Sequence, residues 1–97
     1  GECGIGKRCA KNDAARSVRF YPGAHKDTTM YLYNDPDGKK DADYVKIILK
    51  DDIEESVCVN DISKSHKYKS ADVTYYDTEE GCLVNCNVSG HVSYIKV

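Results

Sequence analysis

The sequence predicts an all-β fold, a small disulfide-braced β-sandwich or barrel of six to seven antiparallel strands with at most one short helix. Three observations support this prediction. Apolar and polar residues alternate with a period of two, turn-forming residues separate the alternating segments, and five cysteines occur within 97 residues. Short alternating segments bounded by turns are typical of sandwiches and small barrels. The length predicts a single domain over residues 1–97.

The first half of the chain predicts one strand followed by a hairpin. Residues 17–21 alternate and end at Pro22-Gly23, a turn pair. Residues 28–33 are rich in β-branched and aromatic side chains, which favour strands. Residues 34–38, Asn-Asp-Pro-Asp-Gly, combine four residue types that each favour turns. The strand pattern resumes at residues 44–50, so the two segments predict a hairpin with a long polar loop.

The second half predicts further strands at residues 56–60, 71–76 and 91–97. Residues 61–70 are polar and lysine-rich, and we expect a loop or a single helical turn there. The one helical candidate is residues 8–16, where paired alanines favour a turn or two of helix.

The cysteines indicate an oxidising compartment, and they predict a secreted, extracellular protein whose thin core is braced by disulfides. Five cysteines cannot all pair within one chain, so one thiol remains, and a disulfide-linked dimer is an open alternative. Sequence spacing does not fix the pairing. We favour one bridge from the N-terminal segment to the middle of the chain, at Cys58, and a second near the C-terminus. The candidates are Cys3, Cys9, Cys58, Cys82 and Cys86.

A second sign of secretion is Asn87-Val88-Ser89, which matches the acceptor pattern for N-glycosylation. Composition limits the partners. The formal net charge is -2 with both signs interspersed, so we expect no nucleic-acid partner. No apolar run approaches the roughly 20 residues of a membrane span, so we expect no membrane insertion.

No motif in the chain indicates catalysis, a cofactor or a metal. The histidines lie in polar or strand contexts, and no Gly-x-Ser-x-Gly elbow is present. We therefore predict a protein that is not an enzyme. The polar loop at residues 34–43 bunches carboxylates that calcium could use as ligands, but the loop lacks the EF-hand pattern. A solvated hairpin loop is the favoured interpretation of Asp35, Asp37, Asp41 and Asp43.

The aromatic residues are the best indication of function, because eight tyrosines accompany one phenylalanine and no tryptophan. Tyrosine combines a large apolar ring with a polar tip, which suits protein-binding surfaces. Four tyrosines lie in two predicted strands, and we predict that they form a recognition surface. The alternative is that they rim the core. These residues are Tyr31, Tyr33, Tyr75 and Tyr76.

With its short length, short strands and an early cysteine separated from a mid-chain one (Cys9 and Cys58), the sequence resembles small secreted effectors of plant-pathogenic fungi. The MAX effectors, with six strands in two sheets, and the killer-toxin-like effectors are the two similar groups. This chain is longer than a MAX effector, has three additional cysteines and carries the insertion at 61–70. The resemblance implies a non-enzymatic effector or toxin-like protein that binds a host or competitor protein.

An alternative function from a different class is a small extracellular protease inhibitor or antimicrobial protein. Inhibitors present an exposed loop held by nearby cross-links, and the loop at 79–87 contains two cysteines. The loop at 34–43 is a second candidate for the inhibitory loop.

Overall fold

Seven β-strands form the part of the chain that the computed structural model describes, which is residues 16–40, 42–78 and 86–97. All pairings are antiparallel and no helix occurs in these segments, so the predicted all-β class is confirmed. The helical candidate at 8–16 lies outside them except for its last residue. The strands are β1 (Val18–Phe20), β2 (Thr29–Tyr33), β3 (Tyr44–Leu49), β4 (Val57–Val59), β5 (His66–Lys67), β6 (Ala71–Tyr76) and β7 (Tyr94–Lys96).

The larger layer is a five-stranded sheet in the order β5-β6-β3-β2-β7. Strands β2 and β3 form the predicted hairpin, in register from Thr29 opposite Ile48 to Tyr33 opposite Tyr44. Strand β6 then extends the sheet beside β3, and β7 extends it beside β2. The segment 61–70 differs from the prediction, because it contains the two-residue strand β5. Backbone pairing with β6 defines this strand. Its polar side chains do not predict a strand.

The smaller layer is a two-stranded ribbon of β1 and β4. Val18 lies opposite Val59 and Phe20 opposite Val57. Both strands contribute to the same apolar core as the large sheet, which makes the molecule a two-layer sandwich. The buried core residues are Val18, Phe20, Leu32, Val45, Ile47, Leu49, Ile53, Val59, Ile62, Ala71, Val73, Val88 and Val92.

The large sheet has a core face and an outer face, and β3 shows the difference most clearly. Its residues alternate between fully buried Val45, Ile47 and Leu49 and the half-buried side chains between them. Because successive side chains of a strand point to opposite sides, the half-buried set defines the outer face. The register of the other strands extends this face across the sheet.

Two cysteines lie in the described segments. Cys58 is half-buried on β4, and its predicted bridge to the N-terminal segment stays a prediction because the N-terminal cysteines lie outside the described residues. Cys86 is disulfide-bonded. The remaining cysteines lie outside the described segments, so the predicted pairing, the bracing of the core by disulfides and a linked dimer stay predictions.

Among the described residues, no helix has the length and apolar character needed to cross a membrane.

Candidate functional site

Tyrosines form a row across the outer face of the large sheet. The strand register places Tyr94, Tyr33, Tyr44 and Tyr76 side by side on β7, β2, β3 and β6. Ring centroids of successive members lie 5.8, 5.8 and 4.5 Å apart. Tyr31 adds a fifth ring, 6.0 Å from that of Tyr33 on the same strand. We call these five residues the tyrosine cluster.

Three of the four predicted recognition tyrosines, Tyr31, Tyr33 and Tyr76, belong to the cluster. The fourth, Tyr75, does not, because adjacent residues on a strand face opposite sides of the sheet. Tyr75 is half-buried and packs against the core. It therefore cannot contact a partner on the same surface as the other three.

The cluster also includes two tyrosines that the sequence interpretation missed. Tyr44 and Tyr94 both fall within predicted strands, so their strand positions were available from the sequence. What joins them to the cluster is the cross-strand register, in which Tyr33 lies between them. No local pattern specifies that register.

The tyrosine rings stack mainly on one another rather than standing open. The planes of Tyr44 and Tyr76 differ by 10°, and those of Tyr31 and Tyr33 by 17°. Tyr33, at the centre, is only 4% exposed, whereas Tyr94 at the end of the row is 42% exposed. Cross-strand aromatic pairs each contribute roughly 0.2–1 kcal/mol to sheet stability. The stacking therefore stabilises the sheet and uses ring faces that a planar ligand would otherwise contact.

The loop between β2 and β3 folds back onto one end of this cluster. The Asp35 carboxylate accepts hydrogen bonds from the N–H groups of Asp37 (2.8 Å) and Lys39 (3.0 Å). Gly38 has a φ of +72°, and a Cβ atom there would lie 2.9 Å from Cδ1 of Tyr94. Glycine is thus required twice at this position, for its backbone conformation and for its lack of a side chain.

This geometry bears on the acidic loop considered as a calcium site. The Asp35 carboxylate is bonded to its own loop, and Asp43 is buried on the core side of the hairpin. Asp41 lies outside the described residues. In the part of the chain that the structure describes, no group of three or more His, Cys, Asp or Glu side chains is arranged to hold a metal ion.

Lysines surround Tyr31 on the outer face. Lys46 on β3 and Lys96 on β7 are its cross-strand neighbours in register. Lys40, from the loop, places its Nζ 5.4 Å from the ring centroids of both Tyr31 and Tyr44. A cation at this distance from an aromatic ring is attracted by the ring quadrupole. One ammonium group thus lies near the Tyr31 ring, and two further lysines are its neighbours on the adjacent strands.

Lysines also outnumber carboxylates at the other charged strand positions of the outer face. Lys50 extends the outer-face alternation of β3, and its Nζ lies 3.3 Å from Oδ1 of Asp72. Lys67 is in register with the same aspartate. Four lysines and one aspartate lie at the outer-face positions of the strands, which are Lys46, Lys50, Lys67, Lys96 and Asp72. The loop over the tyrosine cluster adds Lys39 and Lys40 together with Asp35 and Asp37.

Acidic residues collect elsewhere, in the connection from β3 to β4. Asp51, Asp52, Glu54 and Glu55 line an open cleft of about 540 Å³, together with Lys69 and neighbouring residues. The net charge of -2 is a sum over the whole chain, and it hides the separation between a basic face and an acidic connection. It does not describe the surface that a partner would meet.

Below the tyrosine cluster, a hydrogen-bonded junction joins three parts of the fold. The Tyr75 hydroxyl donates to the Asp43 carboxylate and accepts from the Val88 N–H at 3.1 Å. The Thr78 N–H donates to the same carboxylate at 3.2 Å. Asp43 is 4% exposed. The junction therefore fixes the end of the hairpin, the end of β6 and the segment before β7 relative to one another.

Because of this junction, we expect the protein to lose stability at alkaline pH. Burial raises the pKa of Tyr75 above its ordinary value of 10.0, and the hydrogen bond to Asp43 raises it further. Because the folded-state pKa is the higher one, the contribution of the neutral hydroxyl is complete below about pH 10 and is lost as pH rises through the folded-state pKa. Urea unfolding from about pH 8 to about pH 11 should show stability falling more steeply for the native chain than for Tyr75→Phe. Equal slopes would contradict this role of Tyr75.

The glycosylation candidate Asn87 is exposed and part of a tight turn. Its side-chain oxygen accepts from the Ser89 N–H at 2.8 Å, and its side-chain nitrogen donates to the Ser63 carbonyl at 3.2 Å. Glycosylation at Asn87 stays a prediction.

No protein family matches this chain, and neither a curated protein nor a solved structure matches it. The resemblance to fungal effectors therefore stays an expectation from the sequence.

Proposed function

We propose that this is a secreted, non-enzymatic effector or toxin-like protein that binds a host or competitor protein through the outer face of its large sheet. The observation that supports this most directly is the tyrosine cluster, which gathers five of the eight tyrosines on one face beside lysines. Tyrosine is enriched in protein interfaces because it offers a large rigid contact area and a polar tip.

The sheet that carries the cluster supports a rigid mode of recognition. Its opposite face is the core of the sandwich, so the strands are held in place from below. Stacking between neighbouring rings further restricts their rotamers. Side chains that are already ordered lose little conformational entropy on binding, which favours affinity.

The 34–40 loop also favours the sheet face over a loop as the recognition element. An inhibitor loop extends into a protease, whereas this loop folds onto Tyr94 and Tyr31 of its own sheet. The other inhibitor candidate, 79–87, lies mostly outside the described residues. Protease inhibition or antimicrobial action stays an alternative prediction from the sequence.

A matched pair of tyrosine variants tests the proposal. The double variant Tyr31→Ala and Tyr94→Ala removes two partly exposed cluster members, whereas Tyr21→Ala removes a tyrosine that is 57% exposed in the turn after β1. Immobilised native and variant proteins would be exposed to extracellular and tissue extracts, with retained proteins quantified by mass spectrometry. Affinity for each purified candidate partner would then be measured by calorimetry.

We expect the double variant to lose about tenfold or more in affinity, as for interface hot spots, and Tyr21→Ala to change it less than about twofold. Thermal unfolding of each variant would confirm that all three chains are folded. The proposal is overturned if no protein is retained specifically, or if the double variant and Tyr21→Ala retain the same partner equally well.

A further inference from the structure

We infer that Tyr31, Lys40, Lys46 and Lys96 form an anion-recognition site, and that the partner docks there with an acidic polypeptide segment. This inference rests on the proposed function and specifies the chemistry of its partner. Although the chain has a net charge of -2, its surface is basic where the tyrosines gather. The net charge therefore does not exclude an anionic partner.

Three lysines adjoin one tyrosine, two through the strand register and one from the loop. Tyr31 lies between Lys46 and Lys96 in a cross-strand row, so the backbones of the two lysines are about 10 Å apart, two inter-strand spacings. Lys40 approaches the same ring from the loop, with its Nζ 5.4 Å from the ring centroid. An anionic group above Tyr31 would lie within reach of all three ammonium groups and of the phenol hydroxyl.

The electrostatics of this row indicate a ligand from outside the chain. From β6 to β7 the row reads Thr74, Lys46, Tyr31 and Lys96, with no carboxylate among them. On the same face, by contrast, Lys50 is placed beside Asp72 at 3.3 Å. Because Lys46 and Lys96 lie on either side of Tyr31, a carboxylate between them would be attracted by both lysines. The lysine row therefore has the charge complementary to an acidic segment.

The chemistry of the face favours a polypeptide over a nucleic acid. Single-stranded nucleic acids bind by stacking bases on open aromatic faces, but the tyrosines of this cluster stack on one another. Tyrosine edges and hydroxyls beside ammonium groups instead match the carboxylates and carbonyls of an acidic peptide.

The test is a titration of the full chain with poly-L-glutamate, followed by two-dimensional NMR of backbone amides at low and at physiological ionic strength. We expect the largest shifts at Tyr31, Lys46 and Lys96, and weaker binding in added salt because surface charges are screened. Charge reversal by Lys46→Glu or Lys96→Glu should weaken binding about tenfold.

Two lysines outside the site supply matched controls. Lys26→Glu makes the same charge change at an exposed turn position, and Lys39→Glu makes it in the loop next to Lys40. Each should change affinity less than about twofold, whereas Lys40→Glu should weaken binding about as much as Lys46→Glu. If all five variants weakened binding equally, binding would depend only on the net charge of the protein. That result would overturn the proposed site.

Heparin and an oligothymidylate strand form the remaining arms of the experiment. Either one binding more than about tenfold tighter than poly-L-glutamate at the same ionic strength would overturn the acidic polypeptide in favour of a glycan or a nucleic acid. Absence of poly-L-glutamate binding would overturn the anion site. The proposed function would still stand in that case if Tyr31→Ala with Tyr94→Ala abolished partner capture, so the two failures are distinguishable.

Discussion

Replacing Ile47 by alanine should lower the free energy of unfolding by about 3–4 kcal/mol, whereas the same change at the next residue, Ile48, should lower it by about 1 kcal/mol. Ile47 lies on the central strand β3, is 0% exposed and belongs to the core cluster. Ile48 is half-buried on the outer face, opposite Thr29 and Asp72. Urea unfolding of the two variants measures the difference directly.

The contrast between these neighbours tests a condition on which both proposals depend. If the outer face is open to a partner, truncating Ile48 leaves a surface indentation that water fills, and the cost is small. If something covers that face in solution, Ile48 behaves as a core residue and its truncation leaves a cavity like that of Ile47. Losses of similar size at both positions would mean that the tyrosine cluster is not accessible, and both proposals would fail.

The strands that the sequence predicts well are those whose pattern is local. The β2–β3 hairpin has two alternating segments and an Asn-Asp-Pro-Asp-Gly turn between them, and this local information is sufficient. The β5 strand has no such signal, because His66 and Lys67 are exposed and only their pairing with β6 makes them a strand. The β1–β4 ribbon joins residues about 40 positions apart in the chain, and no turn motif marks such a pairing.

The candidate site divides in the same way between local and long-range information. The sequence alone could have predicted which face of the sheet Tyr75 occupies. Ala71, Val73 and Tyr75 form one alternating apolar set, which predicts the core face. The grouping of Tyr33 with Tyr44 and Tyr94 was not available, because it depends on the register of three strands. The basic character of the face was hidden for a further reason. Net charge sums over the chain and carries no information about which face a lysine occupies.

Replacing Asp43 by alanine should lower the free energy of unfolding by about 3 kcal/mol, although Asp43 lies in a polar loop-end segment. The variant removes the acceptor for the Tyr75 hydroxyl and the Thr78 N–H, and it leaves a half-buried phenol without this partner. Tyr75→Phe, which removes the hydroxyl alone, should lose about 1 kcal/mol. Asp37→Ala is the matched control, since Asp37 is exposed in the same loop, and it should change stability by less than about 0.5 kcal/mol. Thermal and urea unfolding of the three variants gives the comparison.

The Asp43 variant also connects stability to binding. Asp43 immediately precedes Tyr44, which stacks on Tyr33 and Tyr76 at the centre of the outer face. The junction on the core side therefore helps to fix the strand position that aligns the tyrosine cluster. Under conditions where Asp43→Ala is still folded, we expect its amide shifts to change at Tyr44 and Lys40 and its affinity for poly-L-glutamate to fall. A variant that loses stability but binds with unchanged affinity would show that the cluster is aligned by ring stacking and cross-strand pairing alone.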